Sequence, residues 1–188
     1  MEPATAPVHL TTVELEAGLE EIRAAPADVG TVALVVRRPQ VGERDVLDEG
    51  DLDEAWGVVG DNWNQRHNRH HPEGTPDPDR QLNVMNARVS RLVAVDPVRM
   101  ALAGDQLHLD LDLSEANLPP GTRLALGSAV IEVTPIPHTG CDKFVSRFGK
   151  DAMRFVNSPQ GRALRLRGLN ARVVVPGTVR PGDPVRKL

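Results

Sequence analysis

The chain has 188 residues, 40% apolar and 26% charged, with a formal net charge of -4, enough for one domain with a real core. Aromatic residues make up only 3% and tyrosine is absent, which together with the negative charge argues against base stacking and phosphate-backbone attraction, so no nucleic-acid partner is expected. The longest apolar stretch, Val32 to Val36, is far short of the roughly 20 residues of a membrane span, and the acidic N-terminus has no signal-peptide pattern. A soluble cytoplasmic protein with no membrane partner is expected.

The first predicted element is a helix that starts at Thr11 as N-cap, with Glu14 closing a capping box and Leu10 placed to staple against Leu15. Leu15, Leu19 and Ile22 share its inner face, and Pro26 stops it. Thr31 to Arg37 is a β-branched run suited to a buried strand, ended by Pro39 and Gly42. From Arg44 to Trp63, alternating acidic and apolar residues with Gly57 and Gly60 predict short strands and turns. Asn64 to Arg80 is rich in His, Pro and Asp without an apolar period, and an exposed, mobile loop is expected there.

Gln81 to Met85 predicts a strand, and Asn86 the N-cap of a helix to about Val95 with Val89, Leu92 and Val93 inward. Leu107, Leu109, Leu111 and Leu113 alternate with His108, Asp110 and Asp112, the period of a half-buried strand. Pro119-Pro120-Gly121 turns the chain into Arg123 to Leu126, and Gly127-Ser128 is a two-residue hairpin turn into Ala129 to Thr134. Phe144, Val145, Phe148, Phe155 and Val156 have helical spacing interrupted near Gly149, ended by Asn157-Ser158-Pro159. Strands follow at Leu169 to Val175 and Pro184 to Leu188, joined by the Pro176-Gly177 turn and the Pro181-Gly182-Asp183 corner. Many short strands with a few small helices describe a mainly β (α+β) domain centred on a β-barrel.

The single cysteine, Cys141, cannot close an internal disulfide. It lies at a loop-to-helix junction after Gly140, where orphan N-H groups and the helix dipole favour thiolate. Lys143 and Arg147 add positive potential. From Cys141 onward eleven Lys and Arg stand against three Asp and Glu, so that segment carries +8 and the rest of the chain -12. Such a thiolate can act as a nucleophile, carry a persulfide or ligate a soft metal. His138, three residues earlier, can serve as its base or hydrogen-bond partner. Arg162, Arg165, Arg167 and Arg172 recur through what the pattern reads as the last strands, and guanidinium forks bind phosphate. His67, His70 and His71 have helical ligand spacing and with His138 and Cys141 would form a zinc site, although the Pro-rich polar surroundings favour a solvated loop.

Further residues carry a family resemblance: Gly104-Asp105-Gln106-Leu107, Leu118-Pro119-Pro120-Gly121-Thr122-Arg123-Leu124, Leu126-Gly127-Ser128-Ala129, the lone Cys141, Arg167-Gly168-Leu169-Asn170-Ala171-Arg172-Val173 and Pro176-Gly177-Thr178-Val179-Arg180-Pro181-Gly182-Asp183. In order and spacing this resembles the MOSC domain, named for the C-terminal part of molybdenum-cofactor sulfurase. The resemblance covers about residues 30 to 188, leaving residues 1 to 29 as a helical extension packed on that domain. It implies a strand-rich barrel, Cys141 as the residue that ligates molybdenum or carries sulfur, and a phosphorylated pterin (molybdopterin) held by basic and polar groups. Thr139, Gly140, Lys143, Arg147, Arg165, Arg167 and Arg172 are the residues expected to hold that cofactor, with Cys141 and His138 catalytic.

Family members act in sulfur transfer to metal cofactors or, like the mitochondrial amidoxime-reducing component, reduce N-hydroxylated compounds. The expectations are therefore a molybdenum-cofactor-dependent oxidoreductase acting on a small-molecule substrate, a persulfide sulfur carrier or transferase, and, last, a zinc-binding protein. Electrons or sulfur would come from a separate reductase or sulfur donor protein. The chain departs from the commoner family pattern in Asp105-Gln106, where many relatives read Glu-Asn, and in His138-Thr139-Gly140 before the cysteine, where Arg-x-Pro is commoner.

Overall fold

The computed structural model describes residues 8 to 65, 74 and 76 to 188. Its centre is a closed seven-stranded barrel. In ring order the strands are β1 (Val29–Arg37), β11 (Pro184–Lys187), β7 (Arg123–Leu126), β8 (Ala129–Pro137), β9 (Leu169–Val175), β5 (Leu82–Asn86) and β6 (Leu107–Asp110), which returns to β1. Among the described residues only β5 and β6 pair in parallel, because α3 (Ala87–Ala94) carries the chain between them as a crossover. A short β2 (Asp45–Leu47) adds to β1. A three-stranded sheet of β3 (Gly50–Asp53), β4 (Gly57–Val58) and β10 (Gly177–Val179) lies beside the barrel.

Two apolar clusters hold this arrangement. The barrel interior joins Val32, Leu82, Leu107, Leu109, Leu124, Ile131, Ala171 and Val185, all 2% exposed or less. Burying a Leu or Ile side chain is worth about 1.5–3 kcal/mol. Outside the wall, Met85, Val89 and Val93 meet Phe144, Phe148 and Phe155 of α4 (Asp142–Asn157), together with Leu15 and Ile22 from the N-terminal helices. Phe144 and Phe148 stack with centroids 4.9 Å apart.

The expected capping box is present: Thr11 Oγ accepts from the Glu14 N-H while Glu14 accepts from the Thr11 N-H. The expected single helix is two, α1 (Thr12–Ala17) and α2 (Leu19–Arg23), meeting at Gly18. A side chain there would come within 2.6 Å of Leu92, so glycine lets α3 close in. Asn86 caps α3 as predicted, accepting from the N-H groups of Arg88 and Val89.

The strand expected to be half-buried is covered on both faces at His108. The ring is fully buried under α3, with Nδ1 2.9 Å from Ser90 Oγ, while Asp110 reaches the surface and pairs with Arg88. The hairpin is as predicted, with Leu126 opposite Ala129 and Gly127 at φ +56°. Helix α4 breaks at Gly149, φ +87°, as its interrupted period implies.

Two expectations are revised. The segment at Gly177 forms β10 and pairs with β3, because the turn is extended enough to reach Gly50 to Leu52. Arg162 lies on α5 (Pro159–Ala163), and Arg165 and Arg167 in the turn after it, so none of the three is a strand residue. The long polar stretch begins and ends with short 3-10 turns, Trp63–Gln65 and Pro78–Arg80, and its centre, including His67, His70 and His71, lies outside the described residues.

Candidate functional site

The barrel's apolar filling stops at the end where β1 gives way to Arg38, and a buried polar layer begins. Arg38 donates from Nε to Asp61 Oδ2 at 2.8 Å and from Nη2 to Asp61 Oδ1 at 2.8 Å. Its Nη1 donates to Asn83 Oδ1 and to the Gly104 carbonyl, both at 2.9 Å. Asn83 Nδ2 donates onward to Asn170 Oδ1 at 2.7 Å, and the Asn83 N-H to Gln106 Oε1 at 2.8 Å.

A second buried pair adjoins the first. Arg167 Nη1 donates to both oxygens of Asp105 at 2.9 and 2.7 Å, and Nη2 to the Ala103 carbonyl at 3.1 Å. The guanidinium also lies 5.0 Å from the Phe144 ring centroid. Burying charge is tolerable only when it is paired and hydrogen-bonded, and both pairs meet that condition. Burial pushes the Asp105 carboxyl up, opposed chiefly by Arg167.

His138, just past the end of β8, has Nδ1 3.3 Å from Asp105 Oδ1 and a side chain 14% exposed. Burial, then the positive charge of Arg167, Arg38 and Arg80, holds its pKa well below the ordinary histidine value, so the imidazole is neutral near pH 7. His138 and Thr139 line a cleft of about 450 Å³ with Arg162, Arg165 and Arg167. Pro120, Pro135, Ile136, Pro137 and Leu169 give the cleft an apolar wall. Arg165 is held in the left-handed backbone region, φ +47°, with Nη1 on the Leu118 carbonyl at 2.6 Å. A non-glycine residue there costs about 1 kcal/mol or more, and its strained turn holds a guanidinium in the cleft wall.

Cys141 is exposed and occupies the N-cap position of α4, with extended backbone at φ -132°. It lies two residues beyond Thr139, at the rim of the cleft and not in its lining. Gly140 closes the loop onto α4: its N-H donates to Asn157 Oδ1 at 3.3 Å, and a side chain there would strike Met153. Lys143 is solvent-exposed. Arg147 is outside the cleft lining, with its guanidinium on the Leu102 carbonyl and beside Gly104. Arg172 lies on β9 outside the cleft lining, where Glu132 at 2.7 Å and Asp79 at 3.4 Å already neutralise it.

The fold thus brings together His138, Thr139, Arg165 and Arg167, places Cys141 and Gly140 at the rim, and separates Lys143, Arg147 and Arg172. The charged and amide side chains of the buried layer, Arg38, Asp61, Asn83, Asp105 and Asn170, were not singled out for roles in the sequence. A signal existed for one: Arg37-Arg38 closes an otherwise apolar strand, where a charge must find a partner. Among the described residues no three His, Cys, Asp or Glu side chains are grouped closely enough to hold a metal ion, and the histidine cluster lies outside them. No helix of the described residues is long and apolar enough to cross a membrane.

Comparison with known proteins agrees with this architecture. The family model for the MOSC domain matches residues 77–186, more than half the chain. The YuaD protein from Bacillus subtilis is similar in structure at 15% identity and a TM-score of 0.59, over 84% of this chain and 94% of that one. YiiM from Escherichia coli is similar at 21% identity and a TM-score of 0.53, over 84% and 69%. YiiM from Geobacillus stearothermophilus follows at 14% identity and 0.52, over 85% and 73%. No curated protein matches the chain.

Proposed function

The chain belongs to the MOSC domain family, and on that premise we propose that it binds molybdenum cofactor with Cys141 as the metal ligand and reduces N-hydroxylated compounds. The observation that carries this reading is the exposed thiol at the N-cap of α4, at the rim of a cleft walled by His138, Arg162, Arg165 and Arg167. The residues fit the cofactor. A thiol is a soft ligand suited to molybdenum, and the buried Nε of Arg167 has no described hydrogen-bond partner to hold it back from an anionic group. When bound, the cofactor supplies a metal that exchanges two electrons.

The protein's own groups do the rest. Cys141 offers its sulfur without rearrangement, because the residue is exposed. Arg162 and Arg165 attract and orient a polar substrate while the proline-lined wall excludes water from its apolar part. Neutral His138 offers a ring nitrogen that can take up or deliver a proton. Reduction of an N-hydroxyl group to the amine consumes two electrons and two protons and releases water, so a separate reductase must supply the electrons. The division into a helical extension before residue 30 and a barrel domain after it belongs to the same reading, supported by Leu15 and Ile22 burying into the helical cluster.

Protein from a cofactor-sufficient host should contain molybdenum and pterin in equal amounts, and Cys141→Ala should lose the metal. Normal metal content in that variant overturns the assignment. The exposure of Cys141 also favours a second reading, a carrier that accepts a persulfide from a sulfur donor protein. Incubation with a cysteine desulfurase would then add the mass of one sulfur, removable by reductant, and molybdenum-loaded protein with no such shift sinks it.

A further inference from the structure

Four arginines approach Gly104 and Asp105, and among the described residues only two have carboxylate partners. Arg38 and Arg167 are paired with Asp61 and Asp105. Arg44 arrives from the loop between β1 and β2, Arg147 from the second turn of α4. A methyl group on Gly104 would lie 3.1 Å from Nη2 of Arg44 and 3.7 Å from Nη1 of Arg147, so both guanidinium groups converge on one point. Gly104 itself has φ +89°, a conformation that L side chains avoid, which keeps the point clear.

Among the described residues neither arginine forms an ion pair, whereas Arg37, Arg38 and Arg167 all do. Their described acceptors are backbone carbonyls, Glu43 for Arg44 and Leu102 for Arg147. Arg44 Nε is buried with no described hydrogen-bond partner. Partial burial, then the charges of Arg147 and Arg38, pulls the Arg44 guanidinium below its ordinary range, opposed by the carboxylates of Asp61 and Asp105, which are already paired with Arg38 and Arg167. Two half-buried cations held against each other repel, and carbonyl oxygens soften that repulsion without neutralising it.

We propose that Arg44 and Arg147 form, above Gly104, a binding site for a tetrahedral dianionic oxyanion of the phosphate or phosphomonoester class. Guanidinium forks match such an anion in charge and geometry. Neither arginine nor Gly104 is among the residues that line the His138 cleft. The proposal rests on the preceding reading only for the source of the anion, which is either the phosphate end of the pterin cofactor or a separate phosphorylated compound.

The test uses inorganic phosphate on metal-free protein, followed by thermal unfolding and calorimetry at fixed ionic strength. Phosphate should raise the melting temperature where an equivalent concentration of chloride does not. Arg44→Gln and Arg147→Gln should each weaken phosphate at least about tenfold, with folding confirmed by circular dichroism. Arg147→Lys, which keeps the charge and loses the fork, should fall between, and Arg91→Gln, at an exposed position of α3, should bind normally. Equal stabilisation by chloride, or unchanged phosphate affinity in both glutamine variants, overturns the site. On protein loaded with molybdenum cofactor, loss of the phosphate effect assigns the site to the cofactor's own phosphate, and persistence assigns it to a separate ligand. Because the primary measurement needs no metal, its failure is distinguishable from a failure of molybdenum binding.

Discussion

Arg38 and Arg167 are sealed into the end of the barrel with a carboxylate on each, whereas Arg44 and Arg147 face one another across Gly104 with only carbonyl oxygens as described acceptors. Arg38 belongs to a network that reaches Asn83, Asn170 and Gln106 and ties together the ends of β1, β5 and β9, while Arg167 holds Asp105 and the Ala103 carbonyl. Removing any one carboxylate there leaves a cation stranded away from water. The second two gain nothing comparable from the fold, and their mutual repulsion opposes it. Charge that is buried with its partner is framework, while charge held near its own kind is an electrostatic cost that binding can relieve.

The largest effect should come from breaking the framework side. Asp61→Ala leaves the Arg38 guanidinium, whose side chain is 3% exposed, without its counter-ion, and should destabilise the protein by about 3–5 kcal/mol in urea unfolding. A loss below about 1 kcal/mol would mean that Arg38 is not confined as the structure places it.

Acid exposes the same boundary from another direction. His108 is buried beside the polar layer, and burial lowers its pKa to about 3. The unfolded chain takes up that proton near pH 6.5, so stability present above 6.5 is lost as pH falls toward 3. At about 1.4 kcal/mol per pH unit, roughly 2 kcal/mol should go between pH 6.5 and 5. His138, also lowered, adds in the same direction, while the raised carboxyl of Asp105 acts in the opposite sense. The difference between native protein and His108→Gln isolates one group: the variant's stability should fall less steeply over that window, and parallel curves would refute the assignment.

What could be read from the chain follows the same division. Barrel strands are local in origin: Leu107 to Leu113 alternates, the Gly127-Ser128 turn has a required backbone shape, and Gly149 interrupts the Phe144 to Val156 period. The cap at Asn86 and the box at Thr11 need only residues three apart. The lone Cys141 was legible because its loop, helix start and charge lie within ten residues. The polar layer was not legible, since Arg38 meets Asp61, Asn83 and Gly104 only after the barrel closes. His108 looked solvent-facing because its cover, α3, arrives from outside the strand's own period. The turn that carries Arg165 and Arg167 depends on a left-handed residue that no local pattern announces.

The smallest expected change in stability is also the one that separates the two arginine pairs most sharply. In phosphate-free buffer Arg44→Gln removes one of two half-buried like charges, and the carbonyl of Glu43 that it releases lies at an exposed residue where water can take over. Stability should therefore stay the same or rise by a few tenths of a kcal/mol. Arg38→Gln, by contrast, strands Asp61 and should cost about 3–5 kcal/mol. Adding phosphate should then reverse the ranking for Arg44 alone: native protein gains stability with ligand concentration as mass action requires, and the variant does not. If Arg44→Gln were as damaging as Arg38→Gln without phosphate, Arg44 would be framework too, and the distinction between the pairs would fall.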